Sequence, residues 1–470
     1  MNAYVNENQQ VAGQPVVALR TALDALGRSL AGRVVLQGDP DWDATRTPWN
    51  VAVPQNPLAV VEVADAEDVR RAVRWAIDHQ RQITAQPVGH GAGDSLDGVL
   101  LLRTRALNSI EIDLAACTAR LGAGVKSGEL LAALAGTGLT FLAGSSPDPT
   151  VVGVTIAGGM SWFGRLHGLA ANAIISVDLV DGLGRARHVT RSEDPDLFWA
   201  LRGGGGDFGI ITGIEVQLIP GRHLYGGRLF WPMEQMPAVL RSFRDVTASA
   251  PDELSLWYFS YQFPSLPQIP EPVRGKAFAA VAAAYLGADA EAERLLGPLR
   301  AVPGLVLDMM GPVPMSDLGQ ITAEPLDPMP ATDHSMFLDD LSDELIDQLT
   351  RAVGAGSGSP LTAVQIRHLG GAFAHRKPGH GAAGHLDEPY ILFALGILAV
   401  PELAEPIASA FSRIDDAVAG HTNGRTVPNF LAPGDDVGRG WSVETRQRLI
   451  KIKRAVDPLS TIRSNRSVVA

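Results

Sequence analysis

With 470 residues the chain is long enough for two or three domains with sizeable cores. Its 51 Asp and Glu against 39 Lys and Arg give a net charge of −12, which argues against nucleic acid or an anionic membrane as partner, since both need a basic field. The single cysteine, Cys117, excludes an intrachain disulfide and a cysteine metal cage and fits a reducing compartment.

The start, MNAYVNENQQ, lacks the basic-then-apolar order of a signal peptide, and no apolar run reaches membrane-spanning length, so a cytoplasmic location is expected. AVVEVA (59–64) then reads as a strand. Residues 66–80 read as an amphipathic helix with Val69, Ala72, Val73 and Ala76 on one face. RQITAQP returns as a strand into a glycine-rich turn. GVLLL, SIEIDL and ARLGAG read as further strands, with a helix at SGELLAALAGTG; Cys117 falls in this strand region as a small buried apolar residue. AIISVDLVD (173–181) is another strand. DPDLFWALRG (194–203) is a helix with Pro near its start and Gly at its end. After Pro220 the texture changes. Aromatic-bearing strands (LYGGRLFW, ELSLWYFSYQF, AVQIRHLGG, YILFALGIL) alternate with helices near 234–247, 289–299, 342–354 and 401–418. The division expected is 1–221, an α+β domain at 222–423, and a tail from 424 with a helix near 442–455.

Three glycine clusters stand out. Val88-Gly89-His90-Gly91-Ala92-Gly93 follows a strand, so backbone N–H groups can converge there without Cβ interference and cradle a pyrophosphate, although the same residues could simply make a tight turn. Gly144-Ser145-Ser146 is followed by Val152-Gly153-Val154-Thr155 and Gly158-Gly159. The third, Gly203 to Gly209, formally holds G-x-G-x-x-G but follows a helix, whereas dinucleotide binding of the Rossmann kind needs strand, turn, then helix.

In order, the run from PLAVVEVADAEDVRRAVRWAIDHQRQITAQPVGHGAG through SPDPTVVGVTIAGGMSWFGRLHGL and VDLVDGLG to DPDLFWALRGGGGDFGIIT, with the tail KIKRAVDPLSTIRSN, resembles the vanillyl-alcohol oxidase (PCMH-type FAD-binding) superfamily, and within it the berberine-bridge-enzyme-like oxidases. The resemblance implies an α+β, two-domain fold: a PCMH-type FAD-binding domain (1–221, completed by 424–470) and an α+β substrate domain whose antiparallel sheet covers the flavin. It implies an FAD-dependent oxidase acting on a small organic molecule in secondary metabolism, by hydride transfer to flavin and reoxidation by oxygen. The alternative is a flavoprotein of the same fold catalysing a non-redox cyclisation.

The resemblance also assigns residues. Gln86, Pro87, Val88, Gly89, His90, Gly91 and Ala92 form the first cofactor loop, and His90 matches the histidine bonded covalently to the flavin, a bond that needs a neutral, nucleophilic imidazole. Gln86-Pro87-Val88 replaces the Arg-Gly-Gly of many relatives. Gly144, Ser145, Ser146, Val152 and Gly153 should meet the pyrophosphate and ribityl region, and Thr155, Ala157, Gly158 and Gly159 the length of the dinucleotide. Gly209 and Ile210 should lie near the adenine, and Asn429 and Asn465 return from the tail. No cysteine occurs in GSSPDPTVVG, so a single attachment is expected.

Catalytic positions depart from the family pattern: Val427 stands where a tyrosine is common, and Gln365 where a glutamate is. Period-two alternation puts Gln365 and Arg367 on one strand face, able to hydrogen-bond substrate, with His368 pointing the other way. Tyr258, Tyr261 and Tyr390 are either core aromatics or phenols for proton transfer; Tyr258 and Tyr390 are the preferred pair. The histidines of HRKPGHGAAGH (375–385) fit no single face, so no metal is expected. Substrate and oxygen are the expected small-molecule partners.

Overall fold

The helix Ala66–Asp78 forms where the pattern puts it: Val69, Ala72, Val73 and Ala76 are fully buried, and Asp65 caps the first turn by accepting from the Asp68 N–H. The helix packs on a four-stranded sheet in the order Arg33–Val35, Ala59–Glu62, Leu100–Arg103, Ile83–Ala85, the last three strands parallel. The computed structural model describes residues 7–263, 265, 271 and 273–469; the opening MNAYVN, part of the segment read for a leader, lies outside them. Among the described residues no helix is long and apolar enough to cross a membrane.

A second, antiparallel sheet follows in the order Ile110–Asp113, Thr118–Gly122, Ile210–Gln217, Ile174–Val180, Ala186–Thr190. Cys117 corrects its expected setting. It occupies the turn before Thr118 with φ +54 and is half-buried, so it is neither in a strand nor in the core. The tail closes this lobe. Thr461 and Arg463 bond the backbone of Ile83, and Trp441 Nε1 donates to Gly203 O at 2.9 Å.

The second lobe is one large antiparallel sheet with the long strands Leu224–Pro232, Ala277–Leu286, Leu254–Gln262, Ala363–His368, Tyr390–Ile397 and Ala331–Leu338 in that spatial order. Two of these strands escape the sequence pattern. Ala277–Leu286, AFAAVAAAYL, carries strong helix formers, yet lies between two long neighbours where small side chains let layers approach on both faces. In Ala331–Leu338 the polar run Asp333, His334, Ser335 breaks the apolar alternation. The helices Met236–Thr247, Asp289–Arg300, Asp343–Val353 and Ala404–Val418 agree with expectation and cover one face of the sheet. The other face packs on the first lobe, where Trp162 stacks on Trp257 at 3.6 Å between centroids. Arg165 fastens the lobes: its Nε donates to Leu254 O at 2.9 Å, its Nη2 to Ala250 O at 3.1 Å, and its Nη1 to Leu369 O and to His368 Nε2.

The tail is anchored by a buried ionic knot. Lys453 Nζ donates to Asp207 O, Asp457 Oδ2 and Ile462 O, each at 2.7 Å, while the Asp207 carboxylate takes Ser464 Oγ and the Val468 N–H. Removing the cation strands two buried carboxylates. Lys453→Met should cost about 3–5 kcal/mol in denaturant unfolding. Burial pushes the Asp207 carboxyl pKa up against the pull of Lys453, so protonation relieves the variant, and its deficit should shrink as pH falls. A deficit of equal size at pH 5 and pH 8 would contradict this account.

Candidate active site

The first loop is positioned by a residue that no motif signalled. Arg103, at the end of its strand, donates Nε to Thr45 O (2.8 Å), Nη1 to Gln86 O (2.7 Å) and Nη2 to Arg46 O and Thr47 O (2.9 and 3.0 Å). One guanidinium thus ties residues 45–47 to the loop after Ala85. Burial pushes its pKa down to about 10, which leaves it charged at neutral pH. Gln86 pairs amide to amide with Gln55. Gly89 has φ +101, and a Cβ there would lie 2.7 Å from Pro48 Cβ, so only glycine permits this approach.

His90 comes next and stacks on Trp49, ring centroids 4.2 Å apart. Its Nε2 lies 2.7 Å from Asp148 Oδ2, and Asp148 also pairs with Lys126 Nζ at 2.5 Å. Burial lowers the His90 pKa and outweighs the opposite pull of Asp148, so the imidazole is neutral at pH 7. Asp148 is itself drawn upward by burial but held below its ordinary value by Lys126 and His90. Pro87 and Val88 line two adjoining cavities of about 530 and 290 Å³, Val88 both of them and Pro87 the smaller; the two cavities share Ala44, Thr47, Val88 and Lys126.

The loops fit a dinucleotide. Among the described residues the N–H groups of His90, Gly91, Ser145 and Ser146 find no acceptor, which leaves donors free for a pyrophosphate. Gly91 has open space where a Cβ would go, and Ala92 is buried behind it. Gly144 leads into the serine pair; Val152, Gly153 and Thr155 form the short helix Val151–Thr155, capped by Thr150. After Ala157, Gly158 and Gly159 turn with φ +124 and +76. Asn429 stitches the tail to that turn, accepting from Gly159 N–H and donating to Val154 O, both at 2.9 Å. Asn465 lies against Gly93. Gly209, φ +155, approaches Val180 O too closely for a side chain, and Ile210 starts the strand paired with Val180.

Opposite lies the inner face of the large sheet. Trp257 pairs with Arg367 and Phe259 with Gln365 across neighbouring strands, so all four face the first lobe with Tyr261. Gln365 and Arg367 therefore share that face; Arg367 Nε and Nη2 both donate to Gln365 Oε1 at 3.0 and 2.8 Å. A strap from Thr322 to Pro330 crosses between the lobes, held by Trp49 Nε1 to Leu326 O (2.9 Å) and by backbone bonds of Val51 and Met329. Glu324 on this strap acts electrostatically on His90, Tyr261 and Arg367 together.

Two expected residues are not brought to this face. Tyr258 and Tyr390 point into the helical layer: Tyr258 packs on Phe243, and the Tyr390 hydroxyl bonds Thr247 Oγ1 at 2.7 Å. The cause is register, because Tyr258 lies opposite Ile366 and Tyr390 opposite His368, both on the outer side. His368 accepts from Arg165, and burial pushes its pKa down to about 2, so it is a neutral acceptor at the lobe junction. Val427 is buried beside Phe337 and Ile391. Tyr261, the third tyrosine considered, is the one on this face, while Trp257, Phe430, Asp148 and Arg103 are the site residues the sequence did not single out. Of these only Asp148, in the cysteine-free SPDPT loop, left a visible signal.

Fold and loops define a flavin-dependent oxidoreductase. Residues 57–190 match the FAD binding domain family. The chain is 27% identical over 470 residues to (R)-6-hydroxynicotine oxidase of Paenarthrobacter nicotinovorans, covering 94% of this chain and 97% of that protein. BBE-like 1 of Physcomitrella patens superposes with a TM-score of 0.83 at 20% identity, covering 96% of this chain and 98% of that one. Berberine bridge enzyme from Eschscholzia californica superposes with a TM-score of 0.80 at 17% identity, with 96% and 98% covered. Residues 57–190 thus form an FAD binding domain, the fold is that of the berberine-bridge-enzyme-like structures, and the chain is an FAD-linked oxidoreductase.

Asp333, also on the inner face, has an Oδ1 sealed from solvent with no partner, and burial pushes its carboxyl up to about 6. A folded pKa above the unfolded value of about 3.9 means the ionised form weakens the fold: no penalty well below pH 4, growing between 4 and 6, full above. Asp333→Asn should therefore raise the melting temperature at pH 8 by the equivalent of about 2 kcal/mol and leave it nearly unchanged at pH 4. A gain that does not depend on pH would refute the assignment.

Proposed function

We propose that the protein oxidises a small organic molecule between the His90 loop and the sheet face bearing Gln365 and Arg367, with FAD bonded covalently to His90 as its single attachment. The observation that carries the tether is His90 itself. It is a neutral imidazole set in the glycine loop, held by Trp49 on one side and Asp148 on the other. Bound FAD supplies the hydride acceptor and returns the electrons to dioxygen.

The protein's part is placement and exclusion of water. Gln86 to Ala92, the Gly144–Ser146 turn with Val152 and Gly153, and the Thr155–Gly159 turn with Ala157 hold the dinucleotide. Gly209, Ile210, Asn429 and Asn465 support those loops from behind. Gln365 and Arg367 bind and orient the substrate, and Arg367 stabilises negative charge on a substrate oxygen. Trp257 and Phe430 close the roof against water. The tyrosine on this face is Tyr261, which takes the place expected for Tyr258 and Tyr390. Fungal FAD-linked oxidoreductases among the relatives make a role in secondary metabolism the natural setting.

Acid precipitation of the purified protein should leave yellow, fluorescent flavin in the pellet. His90→Ala should release FAD to the supernatant, keep the fold, and melt at a temperature that rises with added FAD. Substrate added without oxygen should bleach the flavin and air should restore it. Complete washing-out of wild-type FAD sinks the tether; a substrate turned over without bleaching sinks the oxidase.

A further inference from the structure

We propose that the substrate of this site is a flat aromatic or conjugated molecule bearing a carboxylate or acidic hydroxyl, and that Arg367 binds that anion. The inference rests on the reading of the Gln365–Arg367 face as the substrate face.

The first support is how Arg367 spends its donors. Two other buried arginines are consumed by the fold: Arg103 donates to four backbone carbonyls, and Arg165 to backbone carbonyls and His368, while Arg202 donates to Phe198 O within its own helix end and covers the Phe198 ring. Arg367 is 6% exposed, and its bonds within the described residues both go to one neutral oxygen, Gln365 Oε1. A guanidinium carries five N–H donors, so the fork retains capacity for a planar, two-oxygen acceptor. No carboxylate among the described residues comes within the 4.0 Å of an ion pair with it. Burial lowers its pKa only to about 10, so the charge persists at neutral pH. A buried, unpaired charge is costly unless an anion completes it.

The second support is the walls. The guanidinium carbon lies 3.9 Å from the centroid of the Trp257 ring and 4.9 Å from that of Phe430. Beside it, Tyr261 stacks on Phe259 at 5.0 Å and lies against Phe230 at 6.3 Å. Aromatic rings lining a cation favour a flat, apolar ligand body beside it by apolar burial. The Tyr261 phenol is in turn faced by the positive charges of Arg228 and Arg367. The acidic groups turned to this region are Glu324, which reaches Arg367 only through space, and Asp333, which lies two strands away on Ala331–Leu338.

The test uses the purified protein and three probes of one shape: benzoate, benzyl alcohol and benzylamine, followed by calorimetry and by the flavin absorbance. Benzoate should bind at least about tenfold tighter than benzyl alcohol, about 1.4 kcal/mol, with benzylamine weakest. Arg367→Met should remove that preference while benzyl alcohol affinity changes by less than about twofold, and Arg367→Lys should keep part of it, losing the bidentate fork but not the charge. Benzylamine binding as tightly as benzoate overturns the proposal, since Glu324 would then set the charge preference. Failure of benzoate to bind overturns it too. If Arg367→Met shifts the flavin spectrum but leaves benzoate affinity intact, Arg367 serves the cofactor and the proposal falls. Protein that purifies without any FAD would defeat the flavin reading separately, and calorimetry with benzoate would still decide the anion site.

Discussion

The large sheet has no solvent face, and the rest of the structure depends on that. Its outer rows, such as Leu256, Tyr258, Ile366 and Leu392, pack on helices, while its inner rows, such as Trp257, Phe259, Ala280 and Ala282, pack on the first lobe. With both sides buried, a polar side chain in a strand must find a partner in another layer or face a ligand. Gln365 and Arg367 sit among apolar rows on the inner face, beside Trp257, Phe259 and Phe430. A slip of one residue would send both into the helical layer and bring Ile366 to the flavin side.

The cofactor loops impose a complementary constraint. Stretches such as 88–93 and 153–159 have few side chains to pack, so their shape has to be held from outside. Three polar anchors do this from within the protein: Arg103 for the His90 loop, Asn429 for the Gly158–Gly159 turn, and Asp207 with Lys453 for the tail. Each satisfies backbone groups that would otherwise be stranded, at a desolvation cost offset by several hydrogen bonds. The loops' own N–H groups are thereby left for the pyrophosphate.

This division explains what could be read from the sequence. The first lobe was legible because glycine position, helix period and strand runs are local signals; Val69 to Ala76 and the 86–92 loop are where the pattern puts them. The shared face of Gln365 and Arg367 was legible from alternation within a single strand. The faces of Tyr258 and Tyr390 were not, because alternation gives two sides but not which side meets which layer, and only pairing with Ile366 and His368 decides it. Arg103 and Trp257 were hidden for a related reason. Their partners are 17 to 58 residues away for Arg103 and on other strands for Trp257, so no spacing rule reaches them.

The depth of Arg367 also fixes how it can act. At physiological ionic strength, charges are screened beyond about 8 Å, so a buried guanidinium adds little to the field an approaching molecule feels outside. The exterior of this chain is acidic and repels anions, which makes electrostatic steering unfavourable for the very ligand the interior suits. Arg367 therefore acts after entry, once Trp257 and Phe430 have replaced water around it and the local dielectric has fallen. Discrimination falls on the lifetime of the bound molecule rather than on its arrival. An anion that loses its water and finds no guanidinium leaves quickly, whereas a flat anion that reaches the fork is held in the closed space where the chemistry takes place.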